Sequence, residues 1–380
     1  MIKILRSTLF WFHLVLGCVG GIIILLMSIT GVLLTYERQM LAWLDRGSHQ
    51  IKAAPDARPL PIETILDQLK PDAATTLTVR SSRQEPIEVN QGKKGVIYVD
   101  PYSGAVLGTP SKQGREFFQK LRGWHRWLAW EGDWRAWGKA ITGACTLAFL
   151  GIALSGLYLW LQTRPIFWFR RGLSGKARDF NWHNAIGIWS AVPLIFIILS
   201  ALPISYPWAN QLIYQVTGTT MPANNAAPQP KGEPNPAGFN RMLAAAATQP
   251  GWQSISFRVS PGEEPISFTV DAGDGGQPQL KSTLRLDRQT AAVVSKETFS
   301  DFNLGRQIRS YSRFLHTGES LGLFGQTLAG LASAGAVVLV WTGIALSLRR
   351  FSSWRKRKTS RDVQSSPAQP QPYASAATQQ

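Results

Sequence analysis

The chain has 380 residues and a formal net charge of +17, with a mean hydropathy close to neutral. That length would accommodate two or three soluble domains. The neutral average, however, hides a division into long apolar runs and polar stretches, which excludes an ordinary soluble globule.

The first apolar run is Phe10–Tyr36, preceded by Lys3 and Arg6. It exceeds a signal-peptide core and GVLLTYERQM offers no small-x-small cleavage site, so it is read as an uncleaved anchor. Further runs at Ala140–Leu161, His183–Tyr206 and Leu323–Leu348 also reach the ~20 residues that cross a bilayer. The segments before the first span, between the second and third, and after the fourth carry 14 basic residues against Asp179 and Asp362. The segment Glu37–Trp137 is nearly balanced, with 15 basic and 12 acidic residues. By the positive-inside rule both termini and the middle loop are cytoplasmic and both long segments lie on the far side of the membrane. The positive charge then reflects topology and contact with anionic lipid, and argues against nucleic acid.

Along the chain, the expected division is span 1–36, outer domain 37–136, span 137–161 and basic loop 162–182. Span 183–206, a second outer domain 207–320, span 321–349 and a basic, disordered tail 350–380 complete it. In the first outer domain, Pro61–Leu69 has the spacing of an amphipathic helix. Leu77–Val79, Ile87–Val89 and Gly95–Val99 read as strands, with a turn at Asp100–Gly104 leading to Ala105–Leu107. In the second, a Pro/Asn/Gly-rich linker over Met221–Asn240 precedes a helical pattern at Phe239–Ala247 and strands at Ile255–Val259 and Ile266–Val270. Cys18 and Cys145 are expected at different depths and read as small core residues rather than a disulfide.

The halves repeat. WFHLVLG around His13 corresponds to NWHNAIG around His183, Glu85-Pro86-Ile87 to Glu264-Pro265-Ile266, and YVDPYSGAVL to LRLDRQTAAVV. His125 ahead of the second span corresponds to His316 ahead of the fourth. The expected fold is thus an α-helical membrane protein: a four-helix bundle from two parallel repeats, with two outer α+β domains.

Four of the five histidines sit where a span meets its polar flank; the fifth, His49, reads as an exposed loop residue. Such placement inside a membrane protein is a functional signal. The repeat puts His13 with His183 near the cytoplasmic face and His125 with His316 near the outer face. Opposed imidazoles in a bundle core are the ligand set of a six-coordinate haem b, so two haems are expected. A bare metal site lacks Asp, Glu or Cys at ligand spacing, and a proton relay lacks carboxylates inside the spans. Gly17, Gly187 and Gly318 would let a porphyrin approach the backbone, with Trp11, Trp124, Trp127 and Trp182 beside it. Arg122, Arg126 and Arg313 outside, or Arg6 and Arg178 inside, are candidates for the propionates. Arg122, Arg126, Arg309 and Arg313 would line a cleft between the outer domains for an anionic ligand. With no dinucleotide-binding glycine motif, the electron donor is another protein or a membrane quinol.

WFHLVLG…SITGVLLTYE, YVDPYSGAVLG, LRGWHRWL and SGLYLW resemble the PepSY-associated transmembrane proteins over nearly the whole chain to about Arg350. Within them the chain is most similar to the FoxB-type ferric-siderophore reductases of the inner membrane. That resemblance implies reduction of siderophore-bound Fe(III) in the periplasm, release of Fe(II), and haem ligation by His13, His125, His183 and His316. LRLDRQTAAVV departs from the pattern by lacking its Pro and Gly. The rival readings are a non-enzymatic membrane-anchored module binding a periplasmic protease or peptide, and a siderophore permease component.

Overall fold

The computed structural model describes residues 2–48, 51, 56–72, 75–163, 165–222, 235–262 and 265–364. His49, Arg164, Glu264, most of the linker and the end of the tail lie outside them. Helices α1 (Ile2–Leu34), α2 (Glu37–Leu44), α3 (Ile62–Leu69), α4 (Lys112–Trp127) and α5 (Trp134–Leu161) belong to the first half. Helices α6 (Gly175–Ser205), α7 (Pro207–Val216), α8 (Phe239–Ala246), α9 (Leu304–Thr317) and α10 (Gly322–Gln364) belong to the second. Strands β1 (Thr76–Arg80), β2 (Ile87–Asn90), β3 (Val96–Val99) and β4 (Val106–Gly108) fall in the first half. β5 (Ser254–Arg258), β6 (Ile266–Asp271), β7 (Lys281–Leu286) and β8 (Val293–Thr298) fall in the second.

α1, α5, α6 and α10 are long and apolar enough to cross a membrane. Each packs on two of the others: α1 and α6 both touch α5 and α10, so α1 and α6 stand diagonally opposite. Their outward faces expose Val19, Ile22, Leu154, Val192 and Trp341, a surface that belongs in lipid rather than water. Several buried hydroxyls of the bundle are satisfied along their own helices: those of Thr30, Ser200 and Thr342 donate to carbonyls of the preceding turn. Cys18 is exposed rather than in the core, and neither cysteine forms a disulfide.

Three boundaries differ from expectation. α6 begins at Gly175 instead of 183, because Asp179, though polar, is buried and accepts from Arg178 and from Arg349 of α10. α5 begins at Trp134 instead of 137. α10 continues to Gln364 through the basic segment expected to be disordered, since extending an existing helix needs no new nucleation.

The larger correction concerns the two outer domains, which form one eight-stranded antiparallel sheet of order β4-β3-β2-β1-β5-β6-β7-β8. β1 and β5 would each be an open edge with unpaired backbone groups. They pair with each other instead, Leu77 opposite Phe257 and Thr78 opposite Ser256, whose hydroxyls meet at 2.8 Å. α3 and α8 cover a common core in which Ile65, Leu77, Val89 and Val99 join Phe239, Phe257, Phe268 and Leu284. Phe257 stacks on Phe239 and Phe268 at 5.1 and 4.7 Å.

The β3–β4 and β7–β8 hairpins close identically despite their different sequences. Asp100 N–H donates to Ala105 O and Gly104 N–H to Asp100 O; Asp287 N–H donates to Ala292 O and Ala291 N–H to Asp287 O. Gly104 has φ 74° and Ala291 takes the same left-handed conformation at 56°. An alanine is tolerated there because the Asp287 carboxylate pins the turn, accepting from Gln289 N–H, Thr290 N–H and the Thr290 hydroxyl.

Candidate functional site

Four histidines face one another in two layers. His13 of α1 and His183 of α6 meet across the diagonal, with ring centres 6.2 Å apart. His125, in the last turn of α4, meets His316, in the last turn of α9, at 6.1 Å. Each ring is fixed from behind through Nδ1. His13 Nδ1 lies 3.1 Å from Ile152 O and His316 Nδ1 2.9 Å from Ile197 O; a carbonyl only accepts, so both nitrogens carry hydrogen. His125 Nδ1 contacts Thr30 Oγ1 and His183 Nδ1 contacts Thr342 Oγ1, both at 3.0 Å. Those hydroxyl hydrogens are already given to Leu26 O and Val338 O, so here too the imidazole donates. All four rings are therefore Nδ1–H tautomers whose Nε2 lone pair is free, and no Nε2 forms a hydrogen bond among the described residues. This backing is the arrangement that orients an imidazole toward a metal.

The spacing within each pair also decides what can be held. Metal–imidazole bonds of about 2.0–2.1 Å on both sides, plus about 1 Å from nitrogen to ring centre, give about 6 Å for two ligands directly opposed. A tetrahedral angle would bring the centres closer, to about 5 Å. Among the described residues no three His, Cys, Asp or Glu side chains converge, so neither pair completes a bare metal site. The residues fit a planar macrocycle that brings its own four equatorial donors and leaves two opposed positions, which is haem.

Glycines give the rings room. A Cβ on Gly156 would stand 3.0 Å from His13 Cε1, and one on Gly343 3.4 Å from His183 Cε1. A Cβ on Gly17 would meet nothing within 4 Å, and one on Gly187 only Leu339 at 3.7 Å. Gly318 offers no such space: it is the left-handed cap of α9, packed against Gly325 O. His13 and Thr30, which backs His125, are 17 residues apart on α1, so the layers are separated by about 25 Å of helix.

Burial, and then the neighbouring His316, pushes His125 down to about 4, and burial lowers His316 as well. His125 is positioned by an unusual turn in which Leu128 and Ala129 both have positive φ, 57° and 55°, a costly conformation for non-glycine residues. The hydroxyl of Thr142 on α5 fastens the turn by donating to Arg126 O at 2.8 Å. Trp127 is held between two guanidiniums, Arg126 at 5.1 Å and Arg135 at 4.0 Å. Burial, then Arg135, Arg313 and Arg122, lowers the pKa of Arg126, so these four cations share one neighbourhood. Arg122 pairs with Glu37, Trp124 is exposed, and Arg309 is not among the charges acting on Arg126. The two halves are not separate domains parted by a cleft, because the sheet is continuous; the arginine cluster is drawn from α4, α5 and α9.

Residues 10–350 match the PepSY-associated TM region. The chain belongs to that family. No curated protein matches it. The family region of this PepSY-associated protein spans both histidine layers and the whole sheet.

Two features of the PepSY-associated chain had no signal in the sequence. At the tail end, Arg178 is committed to Asp179, and Phe169, Trp182, Ile186 and Val338 line a cavity of about 470 Å³ beside His183. At the other end, buried Asp45 accepts from Ser111 N–H at 2.6 Å, the Tyr98 hydroxyl at 3.1 Å and Arg115 at 2.8 Å, tying the start of α4 to the sheet. Burial raises the Asp45 carboxyl, but Ser111, Arg115 and Tyr98 outweigh it and hold it below the usual value. Tyr98 is driven up to about 12 by burial and then by Asp45. Only the tertiary fold joins residues so far apart in the chain.

Proposed function

We propose that this membrane protein carries electrons across the bilayer through two b-type haems and reduces ferric siderophore, releasing Fe(II). The observation that supports this most is the four histidines, each backed at Nδ1 and paired 6.2 and 6.1 Å apart, with no Nε2 hydrogen-bonded among the described residues. Each haem, when bound, supplies a one-electron carrier. His13 with His183, and His125 with His316, would hold it, and the backing carbonyls and hydroxyls would keep each ring in the ligating tautomer. Arg126 and Arg135, stacked on Trp127, suit haem carboxylates at the sheet end, and the bundle keeps water from the path between layers.

The same reading sets the protein in a bacterial inner membrane as two parallel repeats, each formed of a span, sheet half, histidine-bearing helix and second span. The basic tail and the 162–182 loop lie in the cytoplasm and the sheet in the periplasm. The donor is then a cytoplasmic protein or a membrane quinol, and the acceptor a ferric chelate. A visible spectrum of the purified protein, before and after dithionite, tests the proposal. Low-spin b-type bands at about two haems per chain, lost on adding ferric chelate, are expected. Colourless protein from haem-sufficient cells would leave a membrane-anchored binding module.

A further inference from the structure

The sheet does not sit flush on the bundle. Beneath the seam where β1 meets β5 is a cavity of about 850 Å³, walled by distant parts of the chain. It is lined by Arg80, Ser81 and Glu85 from the end of β1 and the turn after it, by Gln253 ahead of β5, by Lys281 of β7, and by Arg313 and Glu319 from α9 and the turn after it. We propose that this cavity receives the electron acceptor as an anionic, oxygen-rich ferric chelate, with Arg80 and Arg313 as its main contacts. The proposal rests on the reductase reading and specifies where its substrate binds.

The volume falls within the range of small-molecule sites, but the lining is charged and hydroxylic rather than apolar, so recognition is by hydrogen bonds. Charge accounting selects the ligand's sign. Arg38, which also lines the cavity, is 3.1 Å from Glu319 and 3.8 Å from Asp274. Lys281 is 3.5 Å from Asp271. Arg313 has no carboxylate partner among the described residues, and the one beside Arg80, Glu88, is 4.0 Å away and half-exposed. Glu85 also lines the cavity and is itself engaged, which leaves Arg80 and Arg313 as the lining cations with no close carboxylate. A guanidinium makes paired, charge-assisted bonds to the oxygens of carboxylate or catecholate chelators.

Position supplies the second argument. Arg313 precedes His316 by one turn of α9, about 4.5 Å along the axis. A chelate held by Arg313 is thus beside the sheet-end layer, while His13 and His183 lie on the far side of the bundle. The walls are firm: Ser81 N–H donates to Gln253 O at 2.9 Å, and a Cβ on Gly276 would come within 2.7 Å of Glu319 Cβ. The reaction needs no bond to the protein. The chelated Fe(III) gains one electron, supplied by the donor at the tail end, and becomes Fe(II), which the chelator holds far less tightly.

The test separates binding from reduction by using the Ga(III) complex of a hexadentate tris-catecholate, which carries the same charge and cannot be reduced. Calorimetric titration of the full-length protein is expected to show one site. Arg80→Gln and Arg313→Gln should each weaken it about ten- to hundredfold. Arg258→Gln, at the other end of the β1–β5 pair and exposed, removes the same charge and should bind as the parent does. An equal loss in Arg258→Gln would mean that net charge attracts the ligand and would overturn the cavity assignment. So would undetectable Ga(III) complex binding in protein that the Fe(III) complex still reoxidises. Colourless protein that binds the Ga(III) complex normally would instead sink the reductase reading and keep the site.

Discussion

The two histidine layers use the same pair of imidazoles but are held by different parts of the molecule. At the tail end, His13 and His183 belong to the spanning helices α1 and α6, and their Nδ1 groups bond to α5 and α10. At the sheet end, His125 and His316 belong to the shorter α4 and α9 and reach into the bundle to Thr30 of α1 and Ile197 of α6. The tail-end layer is therefore as rigid as the bundle. The sheet-end layer depends on how α4 and α9 are seated, and so on the sheet, the Asp45 cluster and the strained turn at Leu128–Ala129. One layer is set by the spanning helices and the other by the sheet and the helices seated under it.

The largest effects should come from the ligands themselves. His13→Ala and His183→Ala are each expected to remove the same haem and leave the other, and His125→Ala and His316→Ala the complementary one, read by pyridine haemochrome and reduced spectra. Loss of both haems from any single change would mean the layers are not independent.

The next largest should fall on one layer only. Asp45→Ala leaves Ser111, Tyr98 and Arg115 without their acceptor and should cost about 2–3 kcal/mol in the sheet. Differential scanning calorimetry checks the stability, and the sheet-end haem signal should broaden while the tail-end signal stays. The pH dependence has a definite sign: the Asp45 carboxyl is held below its ordinary value in the fold, so its contribution is full above that value. That contribution is lost as pH falls through the lowered one. The parent should lose stability in acid more steeply than Asp45→Asn.

Thr342→Val removes the acceptor behind His183 and should weaken tail-end haem about ten- to hundredfold, the usual effect of losing an outer-shell partner. Thr30→Val should do the same to the sheet-end layer. His13 Nδ1 meets the Ser155 hydroxyl at 3.1 Å as well as Ile152 O, so Ser155→Ala should have a smaller effect of the same kind; His316 is backed by a main-chain carbonyl and offers no such variant. The smallest change expected is in Gly156→Ala, whose Cβ would press on His13 Cε1 from 3.0 Å. A shift of the tail-end bands with haem retained would fit that contact, and unchanged spectra would show that the ring has slack.

Much of this was legible in the residues because it is local. The apolar runs mark the spans, alternation marks strands such as Ile266–Asp271, and helical spacing marks Ile62–Leu69. The hairpin at Asp287–Ala292 was legible through its likeness to Asp100–Ala105, and Asp287 explains why it closes without the glycine. The start of α6 was not, because Gly175–Asp179 has no apolar period and is helical through contacts with Arg349.

By itself the sequence determined that four helices cross a membrane and that four histidines stand at their ends, since hydrophobic length and residue order are properties of the chain alone. The seam between β1 and β5 was decided only in three dimensions. It joins residues such as Thr78 and Ser256, 178 positions apart, through backbone groups that every residue carries. The tautomer of each histidine was likewise decided there, because it depends on whether a carbonyl or an already committed hydroxyl from another helix stands behind the ring. The sheet-end cavity exists for the same reason: its lining is gathered from both halves of the sheet and from α9, which only the fold brings together.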